Sequence, residues 1–330
     1  MEMEYIILDT DFMLKCHVLR NIVKKFLKTG LAKLINLYRV QYGDLVHFDY
    51  FKFWQKNGFH ITPNHYYSPI PDTSVLKPKD FAEKTMVGID FNDKNQIDLL
   101  NKLSKFKSEF TLFKRINNNI DNQKDPGFYF GNLAFDGIDA LSYYGLIRLL
   151  KPKKIIEIGS GWSTKIAACA SLENKTTELY SVEPYPQPIL KKGFAGFKKL
   201  IEKKVEDVNL DFFQSLESGD ILFIDSSHVV RIGGDVNYIF FEILPRLKKG
   251  VCVHFHDIFF PYEYPEEWLV KEYRFWSEQY LLHAFMLFND TFEVVFSKGY
   301  LGDKYPKLLQ RTFIGFPPQG GGSFWIRKAK

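Results

Sequence analysis

The stretch KIIEIGSGWSTK (Lys154–Lys165) predicts a buried strand, a glycine turn and the start of a helix. Gly159 and Gly161 allow the backbone of the turn to pass close to a ligand. Ser163 or Thr164 can cap the helix, and the amide groups at its N-terminus would face the same ligand. The stretch therefore predicts a ligand-binding turn at the end of a strand.

Two acidic residues stand at the ends of consecutive predicted strands. Glu157 ends the first strand, where its carboxylate could accept a hydrogen bond from an ammonium or a hydroxyl group. Glu183 ends the second strand, within LYSVEPYP (Leu179–Pro186), and an acid at this place in a Rossmann-like unit holds ribose hydroxyls. The third glycine of the dinucleotide fingerprint is missing, because Ser163 stands there, and this argues against a nicotinamide oxidoreductase.

Around this turn, helices and strands alternate along the chain, which is typical of a parallel sheet with helices on both faces. Two later segments, FEVVFS (292–297) and SFWIRK (323–328), predict an antiparallel edge on the same sheet. The predicted fold class is therefore α/β: a Rossmann-like, doubly wound, mostly parallel sheet with an antiparallel C-terminal edge strand and an N-terminal cap of helices and loops. The other expected strands are 154–158, 178–182, 220–224 and 251–255, and the expected helices are 136–150, 164–172, 189–203, 236–247 and 266–288.

The N-terminal part of the chain differs in character, and we expect a cap region at 1–125 and the main domain at 126–330. The expected parts of the cap are a basic amphipathic helix at 18–38, a proline-rich connector at 58–72 and a helix at 96–113. The helix at 18–38 either docks on its own domain with a solvated basic face or lies on an anionic membrane surface. The run NNNIDNQKDPG (117–127) has the composition of a linker and marks the boundary.

The composition is that of an ordinary globular chain of 330 residues, 45% hydrophobic and 25% charged. The net charge of +5 is mild and the basic residues do not form one patch, which argues against nucleic acid as a partner. No apolar run reaches membrane-spanning length, and the acidic N-terminus lacks the positive charge of a secretory signal. Cys16, Cys169 and Cys252 lack metal-ligand spacing and predict reduced thiols, hence a cytoplasmic protein.

The E-x-G-x-G pattern, the acid ending the second strand and an acid ending the fourth together resemble class I S-adenosylmethionine-dependent methyltransferases. The likeness extends from Phe59 onward through HITPNHYYSPIPD, FYFGN, ILFIDSSHV, HFHDIFFPYEYPEEW and GGSFWIRK. These segments are similar to a bacterial branch of small O-methyltransferase-like proteins that is placed with glycan modification. The resemblance implies that residues 126–330 form the methyltransferase domain and that S-adenosylmethionine is the cofactor.

The same resemblance implies which residues bind the cofactor. They are Glu157, Gly159, Gly161 and Ser163 around the methionine part, Glu183 at the ribose, and Asp207, in the turn after the third strand, at the adenine.

Polar side chains also follow the fourth and fifth predicted strands. LFIDSSHVVRIGGD (222–235) places Asp225 and His228 after the fourth strand, and VHFHDI (253–258) places His256 and Asp257 after the fifth. The carboxyl ends of neighbouring parallel strands form the ligand crevice of an open sheet, so we expect these side chains to meet. Methyl transfer to a hydroxyl requires removal of its proton, and a bound divalent ion lowers the pKa of the hydroxyl.

Metal-dependent sugar O-methyltransferases carry a similar pattern, and the resemblance implies a catalytic pair. His228 would be the general base, while Asp225 either orients it or joins Asp257 in binding Mg²⁺ or Mn²⁺. His256 stands where that pattern has an acid and, as a metal ligand, would favour an ion that accepts imidazole, such as Mn²⁺, Fe²⁺ or Zn²⁺. The alternative is structural: Asp225 caps the next turn, His228 bonds a backbone carbonyl, and His254 or His256 belongs to the core.

The loop FFPYEYPEEW (259–268) follows the fifth strand and predicts an acceptor site. Tyr262, Tyr264 and Trp268 could stack on and hydrogen-bond to a sugar, although aromatic packing of the cap on the core explains them equally well.

The sequence thus favours an O-methyltransferase that acts on a hydroxyl of a glycan or related small molecule. Two alternatives stay open: a methyltransferase-fold binding or scaffold protein without catalysis, and a nicotinamide oxidoreductase. The sequence identifies neither the acceptor nor the oligomeric state, and a homo-oligomer is compatible with it.

Overall fold

The computed structural model describes residues 30–31, 48–62, 64–116 and 124–330. Most of the predicted helix at 18–38, most of the predicted linker at 117–127 and Cys16 lie outside these residues. Cys169 and Cys252 are free thiols. Within the described ranges, no helix combines the length and the apolar character needed to cross a membrane.

Seven strands form the main sheet. They are β1 (Lys154–Ile158), β2 (Glu178–Val182), β3 (Lys199–Ile201), β4 (Ile221–Ile224), β5 (Cys252–Phe255), β6 (Phe292–Ser297) and β7 (Phe324–Lys328). Their order across the sheet is β3-β2-β1-β4-β5-β7-β6. β7 runs antiparallel to both β5 and β6, whereas the other neighbours are parallel. The predicted fold class, including the antiparallel edge, is confirmed.

The strand order reverses between β1 and β4, and the crevice at such a point is where open sheets bind ligands. The central strands are apolar on both faces because helices cover both. Ile155 of β1 packs into one hydrophobic cluster, and Ile156 and Ile158 pack into the other. This alternation fixes which side chains of the central strands face each layer of helices.

The described helices are α1 (Phe48–Lys56), α2 (Asp93–Leu103), α3 (Lys107–Phe110), α4 (Gly137–Leu150), α5 (Trp162–Asn174), α6 (Pro188–Lys192), α7 (Leu210–Gln214), α8 (Asp235–Tyr238), α9 (Glu266–Val270), α10 (Glu278–Met286), α11 (Lys298–Lys304) and α12 (Pro306–Thr312). Those from α2 onward flank this sheet on both faces, whereas α1 belongs to a separate unit, residues 1–74. After α8 the chain continues as a π-helix (Ile239–Ile243) and a 3₁₀ turn (Leu244–Arg246), where Pro245 lacks the amide needed for a regular helical bond. A two-residue parallel pair, Lys114–Arg115 with Tyr129–Phe130, lies outside the main sheet.

Two predicted helices are wrong over part of their length. The helix expected at 189–203 ends at Lys192, where Gly193 adopts a φ of 74°, and Lys199–Ile201 becomes strand β3 by pairing with β2. The helix expected at 266–288 is split into α9 and α10, with Tyr273 at a φ of 57° in the break. In both places non-local pairing decides the structure, which the apolar spacing alone does not reveal.

The chain divides into two compact units, residues 1–74 and 75–330. The predicted boundary near 125 falls inside the second unit. α2, which the sequence placed in the cap, contributes Gln96, whose side chain accepts a hydrogen bond of 2.7 Å from the amide of Ser297 at the end of β6. The division into a cap at 1–125 and a domain at 126–330 stays a prediction.

Candidate functional site

The glycine turn after β1 is pressed against the end of β4. Gly159 has a φ of 86°, and a Cβ atom on it would lie 1.8 Å from the carbonyl oxygen of Asp225. The amide of Asp225 in turn donates to the carbonyl of Ile158 at 2.9 Å. Gly161 differs, because a Cβ there would point into open space. The turn therefore brings Asp225 next to a surface that Gly161 leaves clear for a ligand.

Glu157 lies beneath this turn and braces it. Its side chain is fully buried and accepts hydrogen bonds from the hydroxyls of Thr164 at 2.6 Å and Tyr143 at 3.0 Å. Thr164 also accepts a bond from the amide of Gly161 at 3.1 Å. Burial raises the pKa of Glu157 to about 8, against the opposing effect of the hydroxyls. Glu157 thus stabilises the turn through Thr164, which bonds both Glu157 and Gly161. The contact of Glu157 with a cofactor stays a prediction.

Glu183 ends β2 beside the turn, as predicted. Its carboxylate accepts the amides of Ser160 at 3.3 Å and Tyr185 at 2.8 Å. The hydroxyl of Ser160 is buried and has no hydrogen-bond partner among the described residues. Ser163 is buried in the first turn of α5, and Asp207 is exposed in the 3₁₀ turn after β3.

The clear surface at Gly161 and the unsatisfied hydroxyl of Ser160 fit the binding of a polar cofactor at this turn. Glu183 lies where an acid would meet the ribose of S-adenosylmethionine. The roles of all six predicted cofactor residues remain proposals.

The acids and histidines after β4 and β5 meet in one cluster. His228 Nε2 lies 3.2 Å from Asp225 Oδ1 and 3.7 Å from Asp257 Oδ2. His256 Nδ1 lies 3.5 Å from the same oxygen of Asp225 and 3.5 Å from that of Asp257. The geometry brings together all four residues that the sequence placed at these strand ends.

Two members of the cluster have unusual backbone conformations. His228 has a φ of 59° and Asp257 a φ of 57°, in the left-handed region that non-glycine residues rarely adopt. Such conformations persist only where surrounding contacts enforce them, and they concentrate at functional sites. His254 is different: it is fully buried, stacks on Phe223 and bonds Ser323, so the core interpretation holds for it.

Glu278 and Trp276 complete the environment of His228, and the sequence analysis missed both. Glu278 Oε2 lies 2.9 Å from His228 Nδ1, and the Trp276 ring lies 4.4 Å from the imidazole, centroid to centroid. The backbone amides of Ser277 and Glu278 donate to the carbonyl of His228. Because Nδ1 is engaged by a buried carboxylate, Nε2 is the ring atom that faces Asp225 and Asp257.

The carboxylates control the ionisation of both histidines. Burial opposes protonation of His228, but hydrogen bonds with Asp225 and Glu278 raise its pKa to about 10. His256 is buried too, yet the charges of Asp257 and Asp225 hold its pKa well above the usual range. Burial works against ionisation of Asp225, while His256 and His228 hold its pKa well below the usual range. Without a bound cation, both imidazoles are therefore charged and interact with the ionised carboxylate of Asp225.

The donor set of this cluster fits a divalent metal. Asp225, His228 and Asp257 each offer one ligand atom, and these atoms lie within 4.8 Å of one another. The Nδ1 atom of His256 is buried and has no hydrogen-bond partner among the described residues, so it offers another nitrogen. Two carboxylates with an imidazole suit Mn²⁺, Fe²⁺ or Zn²⁺ better than Mg²⁺.

One cleft lies beside the cluster, and a second cleft adjoins the first. The first, of about 400 Å³, is lined by His256, Asp257, Phe259 and Trp268 among others. The second, of about 360 Å³, is lined by Tyr262, Tyr264 and again Phe259. Tyr264 is almost fully buried and its hydroxyl accepts the amide of Gln279, so packing explains it best. Trp268 and Tyr262 are only half-buried and remain candidates for acceptor contact.

Comparison with known proteins adds independent information. A family profile described as a methyltransferase domain matches residues 156–258, which span the glycine turn and the acid–histidine cluster. An uncharacterized protein of Archaeoglobus fulgidus is 32% identical over 169 residues, which make up 48% of this chain and 75% of that protein.

Solved structures give weaker likenesses. The S-adenosylhomocysteine-bound methyltransferase PaMTH1 of Podospora anserina is 16% identical, with 71% of this chain and 88% of that chain covered and a TM-score of 0.39. The O-methyltransferase TomG of Streptomyces achromogenes is 13% identical, with 71% and 90% covered and a TM-score of 0.40. Scores this low carry no weight in the assignment. The matched methyltransferase domain, together with the strand order of the sheet that contains it, shows that the chain belongs to the class I S-adenosylmethionine-dependent methyltransferase superfamily.

Proposed function

We propose that this chain is an O-methyltransferase that transfers the methyl group of S-adenosylmethionine to a hydroxyl of a glycan or related small molecule. One observation carries the proposal: Asp225, directly beside the glycine turn, shares a cluster with His228, His256 and Asp257. A cofactor bound at the turn would lie near groups suited to deprotonating a hydroxyl.

The chain's own contribution to the reaction is to position and deprotonate the acceptor. S-adenosylmethionine, when bound, supplies an electrophilic methyl group. His228 would accept the hydroxyl proton at Nε2, and Glu278 at Nδ1 would stabilise the resulting imidazolium. The half-buried ring of Trp268 in the cleft beside the cluster suits a sugar face, and this supports a glycan or sugar-like acceptor.

A divalent cation held by Asp225 and Asp257 is part of the proposal. With a pKa of about 10, His228 is protonated at neutral pH while those carboxylates are uncompensated, and a protonated imidazole cannot act as a base. A cation there would offset the charges that favour protonation and would polarise an acceptor hydroxyl. The lone pair of His228 Nε2 can bind a metal or accept a proton, but not both at once. If His228 is the base, His256, whose buried Nδ1 has no hydrogen-bond partner among the described residues, is the better third metal ligand after Asp225 and Asp257.

Ligand-dependent thermal stability separates the three classes of function. We expect S-adenosylhomocysteine, but not NAD, to raise the melting temperature of the full chain, and Mn²⁺ to add stability that EDTA removes. Stabilisation by NAD alone would favour the oxidoreductase. Binding of the adenosyl compound without turnover on any hydroxylated acceptor would favour the scaffold protein.

The rate of methyl transfer tests whether His228 is the general base. His228→Ala should reduce kcat by about 10²- to 10⁴-fold. His60→Ala is the control: His60 is exposed and lies far from His228 in the sequence, so this substitution should leave kcat unchanged. A His228→Ala rate within about tenfold of wild type would contradict the assignment. Asp257→Asn should abolish the effect of Mn²⁺ on stability.

We also propose a cytoplasmic location, supported by the free thiols Cys169 and Cys252.

A further inference from the structure

Lys298 is a buried lysine that faces both clefts. It is the first residue of α11, directly after β6, and only 2% of its surface is exposed. It lines the cleft beside Asp257 and the neighbouring cleft beside Tyr262. Its ammonium donates one hydrogen bond of 2.8 Å, to the carbonyl oxygen of Pro318. Two further N–H groups of the ammonium have no acceptor among the described residues.

No carboxylate in the described part of the chain forms an ion pair with Lys298, although three acids line the cleft beside Tyr262 and three others, Asp136, Asp139 and Asp257, line the cleft beside the cluster. Asp136 accepts the amides of Gly131 and Gly137, both at 2.7 Å. The other two acids are also engaged: Asp139 accepts the amides of Gly322 and Ser323, and Asp257 faces the two histidines of the cluster. The acids of the cleft beside the cluster therefore have internal partners, whereas the buried ammonium of Lys298 has only the carbonyl of Pro318 as a hydrogen-bond partner among the described residues.

A buried ammonium costs free energy unless an anion compensates it, and a single carbonyl compensates it only in part. Burial lowers the pKa of Lys298 to about 8, against the opposing charge of Asp139. The side chain is still mostly charged at neutral pH. An anionic ligand in the cleft would supply the missing partner.

Arg115 provides a second cation in the same cleft. It is exposed, and no carboxylate forms an ion pair with its guanidinium within the ranges that the structure describes. A guanidinium binds carboxylate and phosphate oxygens in a bidentate manner, and an ammonium acts as a point charge beside them.

We propose that the acceptor carries an acidic group, a carboxylate or a phosphate, and that Lys298 binds this group with help from Arg115. This inference rests on the proposed function, since it names the class of substrate for the same cleft. It predicts that acidic sugars or sugar phosphates are preferred to neutral sugars. The competing explanation is that Lys298 only fixes the carbonyl of Pro318.

Binding of simple probes to the full chain tests the proposal without turnover. Glucuronate, glucose 6-phosphate and glucose are titrated at constant ionic strength in EDTA, which keeps metals out of the neighbouring cluster, and thermal stabilisation is measured. We expect at least one acid to bind about tenfold or more tightly than glucose. Glucuronate alone would indicate a carboxylate, and glucose 6-phosphate alone a phosphate.

Substitutions at Lys298 and Arg115 test whether the preference for acidic probes arises in this cleft. Lys298→Met should abolish the preference for the acid, Arg115→Gln should weaken it, and Lys304→Met, an exposed lysine on the same helix, should retain it. If Lys298→Met does not fold, the preference of Lys298→Gln and the weakened preference of Arg115→Gln decide the question. Equal binding of acid and glucose, no binding of either acid up to about 10 mM, or an unchanged preference in Lys298→Met would overturn the proposal.

S-adenosylhomocysteine is titrated into the same proteins as a separate measurement. Lys298 and Arg115 do not line the glycine turn, so their variants should bind it as wild type does. Acid binding without any binding of S-adenosylhomocysteine would mean that the proposed function fails while the anion site stands. The reverse result would mean that only the anion site fails.

Discussion

Glu278 is the residue that we expect to position His228 without touching the cofactor. Glu278→Gln keeps a hydrogen-bonding group near Nδ1 but removes the buried charge that favours the imidazolium. We expect kcat to fall about tenfold or more while KM for S-adenosylmethionine stays the same, because the Glu278 side chain bonds His228 and forms no hydrogen bond with the glycine turn among the described residues. Steady-state kinetics on wild type and Glu278→Gln check this, with Glu173→Gln, an exposed acid that lines neither cleft, as control.

A parallel rise of KM for S-adenosylmethionine in Glu278→Gln would point to a general structural defect instead. An unchanged kcat would remove Glu278 from the mechanism.

Glu157 makes stability depend on pH in a predictable direction. Its pKa is about 8 in the folded protein against an ordinary 4.5, so the folded state holds its proton where the unfolded chain releases it. Stability is therefore lost as the pH rises from about 4.5 to about 8, and the loss levels off above that range. Glu157→Gln removes this loss, so the variant should gain stability relative to wild type across the window, by at most roughly 4 kcal/mol.

Urea unfolding of ligand-free protein at about pH 5 and about pH 8.5 measures the difference. Identical pH dependence in wild type and Glu157→Gln would mean that Glu157 is ionised in the folded protein.

Single residues also mark the limit of what the sequence could reveal. Asp225, His228, His256 and Asp257 were predictable because each lies within four residues of the end of a strand, and parallel strands end at one edge of the sheet. Glu278 was not predictable, since it reaches His228 from 50 positions away through a break in what the apolar spacing predicted as one helix. Lys298 gave no signal either, because only the fold buries it.

Among the elements, the glycine turn allows a matched pair of substitutions. Gly159→Ala would place a methyl group 1.8 Å from the carbonyl of Asp225 at a φ of 86°, so we expect a loss of stability above about 3 kcal/mol. Gly161→Ala places its methyl group in open space, so the protein should fold normally and bind S-adenosylhomocysteine more weakly. Urea unfolding and calorimetric titration separate the two effects.

Normal binding by Gly161→Ala would show that the clear surface of the turn is not the cofactor surface. Normal stability of Gly159→Ala would mean that the turn can move away from β4.

The regular elements explain where sequence reasoning works and fails. Strands β1, β4 and β5 were predictable because central parallel strands are short apolar runs. β3 was not, because Lys199–Ile201 is an edge strand with charged neighbours, and its pairing with β2 is a non-local choice. The split between α9 and α10 depends likewise on backbone amides that bond His228, a contact outside any local pattern.

At the scale of the whole molecule, every residue assigned to the cofactor turn, the acid–histidine cluster and the clefts belongs to the unit at 75–330. Both hydrophobic clusters of the sheet also lie within it. A chain that begins at Val75 should therefore fold and bind S-adenosylhomocysteine with an affinity within about threefold of the full chain. Circular dichroism and calorimetric titration of both chains test this, with Gly161→Ala in the shorter chain as a control for specific binding. An insoluble shorter chain, or a loss of affinity above about tenfold, would mean that residues 1–74 are needed to build the cofactor site.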